Sequence, residues 1–67
     1  MKLYRLIIIT PTANINRGVW ANYIRLNEGY IEFLDSDRET LAVYPTKCTI
    51  ITNIETKEEY DRKKESI

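Results

Sequence analysis

The sequence predicts a mainly β fold: a small antiparallel five-stranded barrel or strongly bent sheet, of SH3-, Sm- or OB-like size, with a short C-terminal helix. Three observations predict it. β-Branched and aromatic residues fall into short apolar runs, turn-forming residues separate those runs at near-regular spacing, and the final segment changes to charges at helical spacing. The chain has 67 residues, enough for a single domain, read as a β domain over 1–55 and a charged helical tail over 56–67.

Leu3 to Thr10 is nearly continuous in hydrophobicity and rich in isoleucine, which suits a strand buried on both faces. Pro11 ends it, since proline donates nothing to a sheet ladder. Thr12 to Gly18 reads as a polar loop. Val19 to Leu26 is a second strand, with Trp20, Asn22, Ile24 and Leu26 expected inward and Val19, Ala21, Tyr23 and Arg25 outward. Asn27-Glu28-Gly29 is a hairpin turn with glycine where a positive φ is needed. Tyr30 to Leu34 follows as a third strand, Ile31 and Phe33 inward and Glu32 outward.

Asp35 to Glu39 is a charged connection of hairpin length. Thr40 to Tyr44 is the fourth strand, with Leu41 and Val43 expected in the core. After Pro45, Cys48 to Ile54 is the fifth strand, with Cys48, Ile50, Thr52 and Ile54 on one face and Ile51 on the other. Thr56-Lys57-Glu58-Glu59 matches a capping box. Glu58–Arg62 and Glu59–Lys63 are favourable i,i+4 pairs, and acids precede bases as the helix dipole prefers. Tyr60 and Ile67 are the apolar anchors of this helix, so light docking is expected.

A core this small is marginal by itself. One cysteine excludes an internal disulfide, and the absence of histidine removes the commonest transition-metal ligand and general base. Efficient packing or self-association is left, so a homo-oligomer is one expectation. The first apolar run is short, is interrupted by Arg5 and lacks a small-residue cleavage site, which argues against a signal peptide. It is too short to span a membrane. A lone cysteine without an export signal suits the cytoplasm. Abundant Ile, Asn, Lys and Tyr with scarce Ala and Gly suit an AT-rich genome, such as that of a low-GC bacterium or its phage.

Catalytic groups are scarce. Ser36 lies between two acids in a turn, and Ser66 lies near the end. Cys48 is expected to face inward as a small hydrophobe. Gly18 and Gly29 are the only glycines, so no phosphate loop exists. Asp35, Asp37 and Glu39 lack the glycine and distal glutamate of a calcium loop, and Arg38 sits among them. No enzyme, cofactor or metal is expected.

Charge is split although the net charge is zero. Lys2, Arg5, Arg17 and Arg25 are the only charged side chains up to Leu26. From Asn27 to Tyr44, Glu28, Glu32, Asp35, Asp37 and Glu39 then face Arg38 alone. Basic strands lying beside an acidic hairpin would neutralise each other across a sheet. The same split also suits steering of a partner. Tyr23, Tyr30 and Tyr44 are expected to form an aromatic patch opposite the core. With Arg17, Trp20 and Arg25 they make the candidate binding residues, because Tyr, Trp and Arg dominate interface hot spots.

The first expectation is therefore a non-catalytic interaction protein that binds another protein or itself, such as a phage or mobile-element accessory protein acting on a host factor. The second is a nucleic-acid-binding barrel using Arg17, Trp20, Tyr23 and Arg25, for which the neutral net charge gives a weak field. The third is an oligomer that sequesters a small ligand at its interface.

Overall fold

The computed structural model describes residues 1–65. The described residues form six strands rather than five, arranged as two three-stranded antiparallel sheets. In the first sheet β1 (Lys2–Ile9) lies between β2 (Asn14–Ala21) and β6 (Thr49–Thr56). The second is a meander of β3 (Tyr23–Asn27), β4 (Tyr30–Leu34) and β5 (Thr40–Pro45). A 3₁₀ turn over Thr46–Cys48 precedes β6, and α1 (Lys57–Glu65) follows it. No closed barrel forms among the described residues.

The extra strand arises where a polar loop is expected. Residues 14–18 are poor strand formers by composition, yet β1 has main-chain donors and acceptors on both edges that require partners. Asn14 to Ala21 pairs residue for residue with β1, from Ile9↔Asn14 to Lys2↔Ala21. The connection is short because Thr10 clasps it. Its hydroxyl donates to the Ala13 carbonyl at 2.6 Å and accepts from the Ala13 N–H at 3.0 Å. Gly18 lets β2 lie close to β1: a Cβ there would sit 3.2 Å from Leu3 Cδ1.

The expected second strand breaks at Asn22, where the chain leaves one sheet for the other. The break shifts the alternation by one residue, which exchanges faces. Val19 and Ala21 thus enter the core, while Trp20 points to the opposite face and packs against α1. Beyond the bend Ile24 and Leu26 lie on the core side, opposite Phe33 and Ile31.

The core consists of Tyr4, Leu6, Ala21, Ile31 and Phe33, with Val19, Ala42, Tyr44 and Ile51 packed around it. Phe33 is fully buried and joins the sheets. Its ring meets Tyr4 edge-on at 5.3 Å and Tyr44 at 5.9 Å, both favoured aromatic geometries. Leu41 and Val43, expected inside, are exposed, and Ala42 and Tyr44 take the inner positions. The β4–β5 register sets this: Phe33 lies opposite Ala42, whose small side chain leaves room for the ring, and Leu41 is the unpaired residue of a bulge. A second bulge leaves Thr52 unpaired, so Ile51 faces the core opposite Leu6 while Ile50 and Ile54 are exposed. Cys48 is half-buried in the 3₁₀ turn and not in a strand.

Thr56 caps α1 as its sequence predicts, its hydroxyl accepting from the Glu59 N–H at 3.1 Å. An i,i+4 ion pair links Lys57 and Asp61 at 3.5 Å. Tyr60 docks edge-on against Trp20, with centroids 5.1 Å apart. The anchoring expected of Ile67, like Ser66, lies outside the described residues.

The molecule is thin. Its Cα envelope measures 36 × 33 × 13 Å with a radius of gyration of 12.9 Å, against about 11 Å for a compact domain of this length. Its short dimension is little more than the roughly 10 Å between two facing sheets.

Candidate binding face

Antiparallel partners share a face, so the registers define the outer side of β3–β4–β5. Tyr23, Arg25 and Asn27 lie there beside Leu34, Glu32 and Tyr30, and Val43 lies beside Glu32. Tyr23 is 45% and Tyr30 54% exposed. The Arg38 guanidinium stands 5.0 Å from the centre of the Tyr23 ring, a cation–π contact between the β4–β5 turn and β3. Arg38 adopts φ 64° at the β4–β5 turn. Asp35 stabilises that turn, its Oδ1 accepting from the N–H groups of Asp37 and Glu39 at 2.9 Å. The face therefore exposes Tyr23, Tyr30 and Val43, with Leu34 buried at its end, and is crossed by one ion pair, Arg25 to Glu32.

That pair sets its electrostatics. The hydrogen bond from Arg25 holds the Glu32 carboxyl below the usual carboxylate range, helped by the Arg25 charge and by Asn27, against the opposing effect of burial. Arg25 is thus neutralised on its own sheet.

The remaining candidates are dispersed. Tyr44 is on the core side against Phe33 and contributes no outer contact. Trp20 is half-buried under Tyr60. Arg17 is exposed on β2, opposite Leu6, on the other face of that strand from Trp20. The sequence patch thus reduces to Tyr23, Arg25 and Tyr30 on one face, with Arg17, Trp20 and Tyr44 elsewhere.

The sequence reading missed Glu55. It is buried at 2% exposure and lies opposite Leu3 on β1. Its Oε1 accepts from Arg5 Nε at 3.1 Å, Asn53 Nδ2 at 3.2 Å and Lys63 Nζ at 3.2 Å. The Arg5 and Lys63 hydrogen bonds, with their charges, keep its carboxyl below the usual range despite burial. Glu55 thereby ties α1, through Lys63, to the central strand, through Arg5. Oε2 has no hydrogen-bond partner among the described residues. The sequence signal was Arg5 itself: a charge inside an otherwise apolar strand calls for a buried partner.

Beside this cluster is a shallow groove of about 270 Å³ lined by Arg5, Leu6, Asn16, Arg17, Gly18 and Thr52. It falls just under the roughly 300 Å³ at which ligand pockets begin, and Arg5 is already held by Glu55. Among the described residues no three of Cys, Asp and Glu gather as a metal site, and no helix is long and apolar enough to cross a membrane. Cys48 Sγ lies 3.9 Å from the Pro45 carbonyl, which accepts its weak hydrogen bond. No protein-family model, curated protein or solved structure matches the chain.

Proposed function

We propose that this chain is a non-catalytic protein-binding module whose contact surface is the outer face and open edge of β3–β4–β5, engaging another protein or a second copy. One observation carries the reading. Every residue of β3 is exposed although Tyr23, Ile24 and Leu26 are among its five. A strand this apolar is an unfavourable boundary with water, and contiguous apolar surface of this kind marks interaction sites. Tyr23, Tyr30 and Arg25 add the residue types that dominate interface energetics. In fold terms we read the chain as a strongly bent sheet turning at Asn22, with the Phe33 ring filling the corner.

Nucleic acid is less well supported. Arg25 is occupied by Glu32, Trp20 lies under α1, and Arg17 belongs to the other sheet. A stacking groove requires such groups to line one surface.

Chemical cross-linking in cell extract, read by mass spectrometry, tests the proposal by comparing wild type with the Tyr23→Ser/Leu26→Lys/Tyr30→Ser variant, which alters both the outer face and the β3 edge. Cross-links near β3–β4–β5, to another chain or to a second copy, are expected in wild type and lost in the variant, with circular dichroism unchanged. Equal cross-linking of both proteins overturns it.

A further inference from the structure

The open edge of β3 defines its own partner. The Thr46 N–H donates to the Gly29 carbonyl at 3.0 Å, and the Asp35 N–H to the Glu39 carbonyl at 2.9 Å. Main-chain groups at 29 and 35 therefore point toward β5. Alternation along β4 sends those of Ile31 and Phe33 the same way, and those of Tyr30, Glu32 and Leu34 toward β3. The Asn22 N–H, donating to the Leu34 carbonyl at 2.9 Å, agrees. On β3 the residues opposite these, Tyr23, Arg25 and Asn27, bond to β4. The N–H and C=O groups of Ile24 and Leu26 are left pointing off the edge.

Resting on the protein-binding reading, we infer that a second copy of this chain fills this edge, by antiparallel β3–β3 pairing about a two-fold axis at Arg25. In that register Ile24 exchanges both hydrogen bonds with Leu26 of the second copy, and Leu26 with its Ile24. All outward main-chain groups of the two residues are then satisfied. Other registers fail. Centring on Ile24 places Leu26 against Asn22, whose N–H is already given to Leu34. Centring on Leu26 places Ile24 against Glu28, in the turn.

Side chains fit the same register. Ile24 and the 70%-exposed Leu26 share the core side with Phe33 and Ile31, so the pairing extends one apolar floor across six strands. Tyr23 meets Asn27 on the outer face. The two Arg25 side chains meet at the axis, each neutralised by its own Glu32.

The other edges are blunted. A bulge at Leu41 and a terminal proline, Pro45, mark β5, and a bulge at Thr52 marks β6. β2 carries Asn14, Asn16, Arg17 and Gly18, poor strand-pairing residues. Among the edge strands of the described residues, only β3 is both regular and apolar. Surface area agrees: the chain exposes 5082 Å², against about 4,400 Å² for a compact monomer of its 7.9 kDa. The excess of roughly 700 Å² belongs to the whole thin chain, and it leaves room for a contact of standard size, roughly 800 Å² per partner.

Arg25 and its copy form a non-hydrogen-bonded pair, with Cα atoms about 4.5 Å apart, inside the range a disulfide accepts. The test is Arg25→Cys in a Cys48→Ser background, oxidised with glutathione disulfide, beside light scattering of the unmodified chain. A mass near twice 7.9 kDa is expected, with a covalent dimer several-fold more abundant than from Asn27→Cys in the same background. Leu26→Lys, folded by circular dichroism, is expected to be monomeric. A dimer whose Arg25→Cys variant links no better than Asn27→Cys overturns the β3 pairing and leaves the protein-binding reading standing. A monomer at all concentrations overturns the pairing too, and that reading then rests on cross-links to a different protein.

Discussion

Replacing Phe33 with alanine tests whether one ring holds the two sheets together. Phe33 is fully buried, and its ring lies against Tyr4 and Tyr44 from the two sheets. Removing a buried phenylalanine side chain costs about 3–5 kcal/mol, combining lost transfer free energy with the cavity left behind. A chain of 67 residues has a total stability of roughly 3–10 kcal/mol, so Phe33→Ala is expected to lose roughly 30% of it or more. Urea unfolding followed by Trp20 fluorescence, at fixed protein concentration, reads this directly. With a slope of about 1 kcal/mol per molar urea, the midpoint falls by several molar or the variant is unfolded at the outset. Phe33→Leu, which keeps much of the volume, is expected to cost under about 1.5 kcal/mol. A midpoint shift under about 1 M for Phe33→Ala would refute the reasoning, because a ring that joins the sheets cannot be removed that cheaply.

Gly29 sits at φ 85° with open space around it, so Gly29→Ala is expected to cost about 1–2 kcal/mol through backbone strain alone. Chemical denaturation checks the figure. For Glu55 the folded-state pKa lies below the usual value of 4.5, so its link to Arg5 and Lys63 contributes fully above that value. The contribution is lost as pH falls through the lowered pKa. Helical circular dichroism and Trp20 fluorescence are expected to stay constant from neutral pH to about 5 and then to change together in acid. Glu55→Gln is expected to flatten that acid transition, and an unchanged transition in this variant would show that other groups control it.

The legible parts of this fold are those where one alternation phase is apolar and the other is not. The middle of β4 is such a case: Ile31 and Phe33 flank Glu32, and Gly29 marks its turn, although Leu34 at its end is buried on the other phase. In β5 both phases carry apolar side chains, Leu41 and Val43 against Ala42 and Tyr44. Periodicity cannot choose between them, and the choice is made by what fits opposite Phe33. The first part of β2, residues 14–18, was hidden because its composition is poor in strand formers, and the edge of β1 drafts it into the sheet. Trp20 is apolar enough for the core, but the bend at Asn22 turned it toward α1.

The candidate site was partly legible for the same reason. Tyr23, Arg25 and Tyr30 were identified by type and lie together because the β3–β4 hairpin register is simple. Tyr44 was lost with the phase of β5, Arg17 with the extra strand, and Trp20 with the bend at Asn22. Glu55 could be inferred only by asking what neutralises Arg5 in the middle of an apolar strand.

Amide hydrogen exchange at β3, measured at dilute and at high protein concentration, tests the central claim most directly. At dilution the Ile24 and Leu26 amides are expected to exchange freely while Arg25 and Asn27, bonded to β4, are protected. At high concentration Ile24 and Leu26 are expected to become protected together. Exchange at those two amides that stays fast at every concentration, in a protein that also forms no cross-link through this face, would contradict the account.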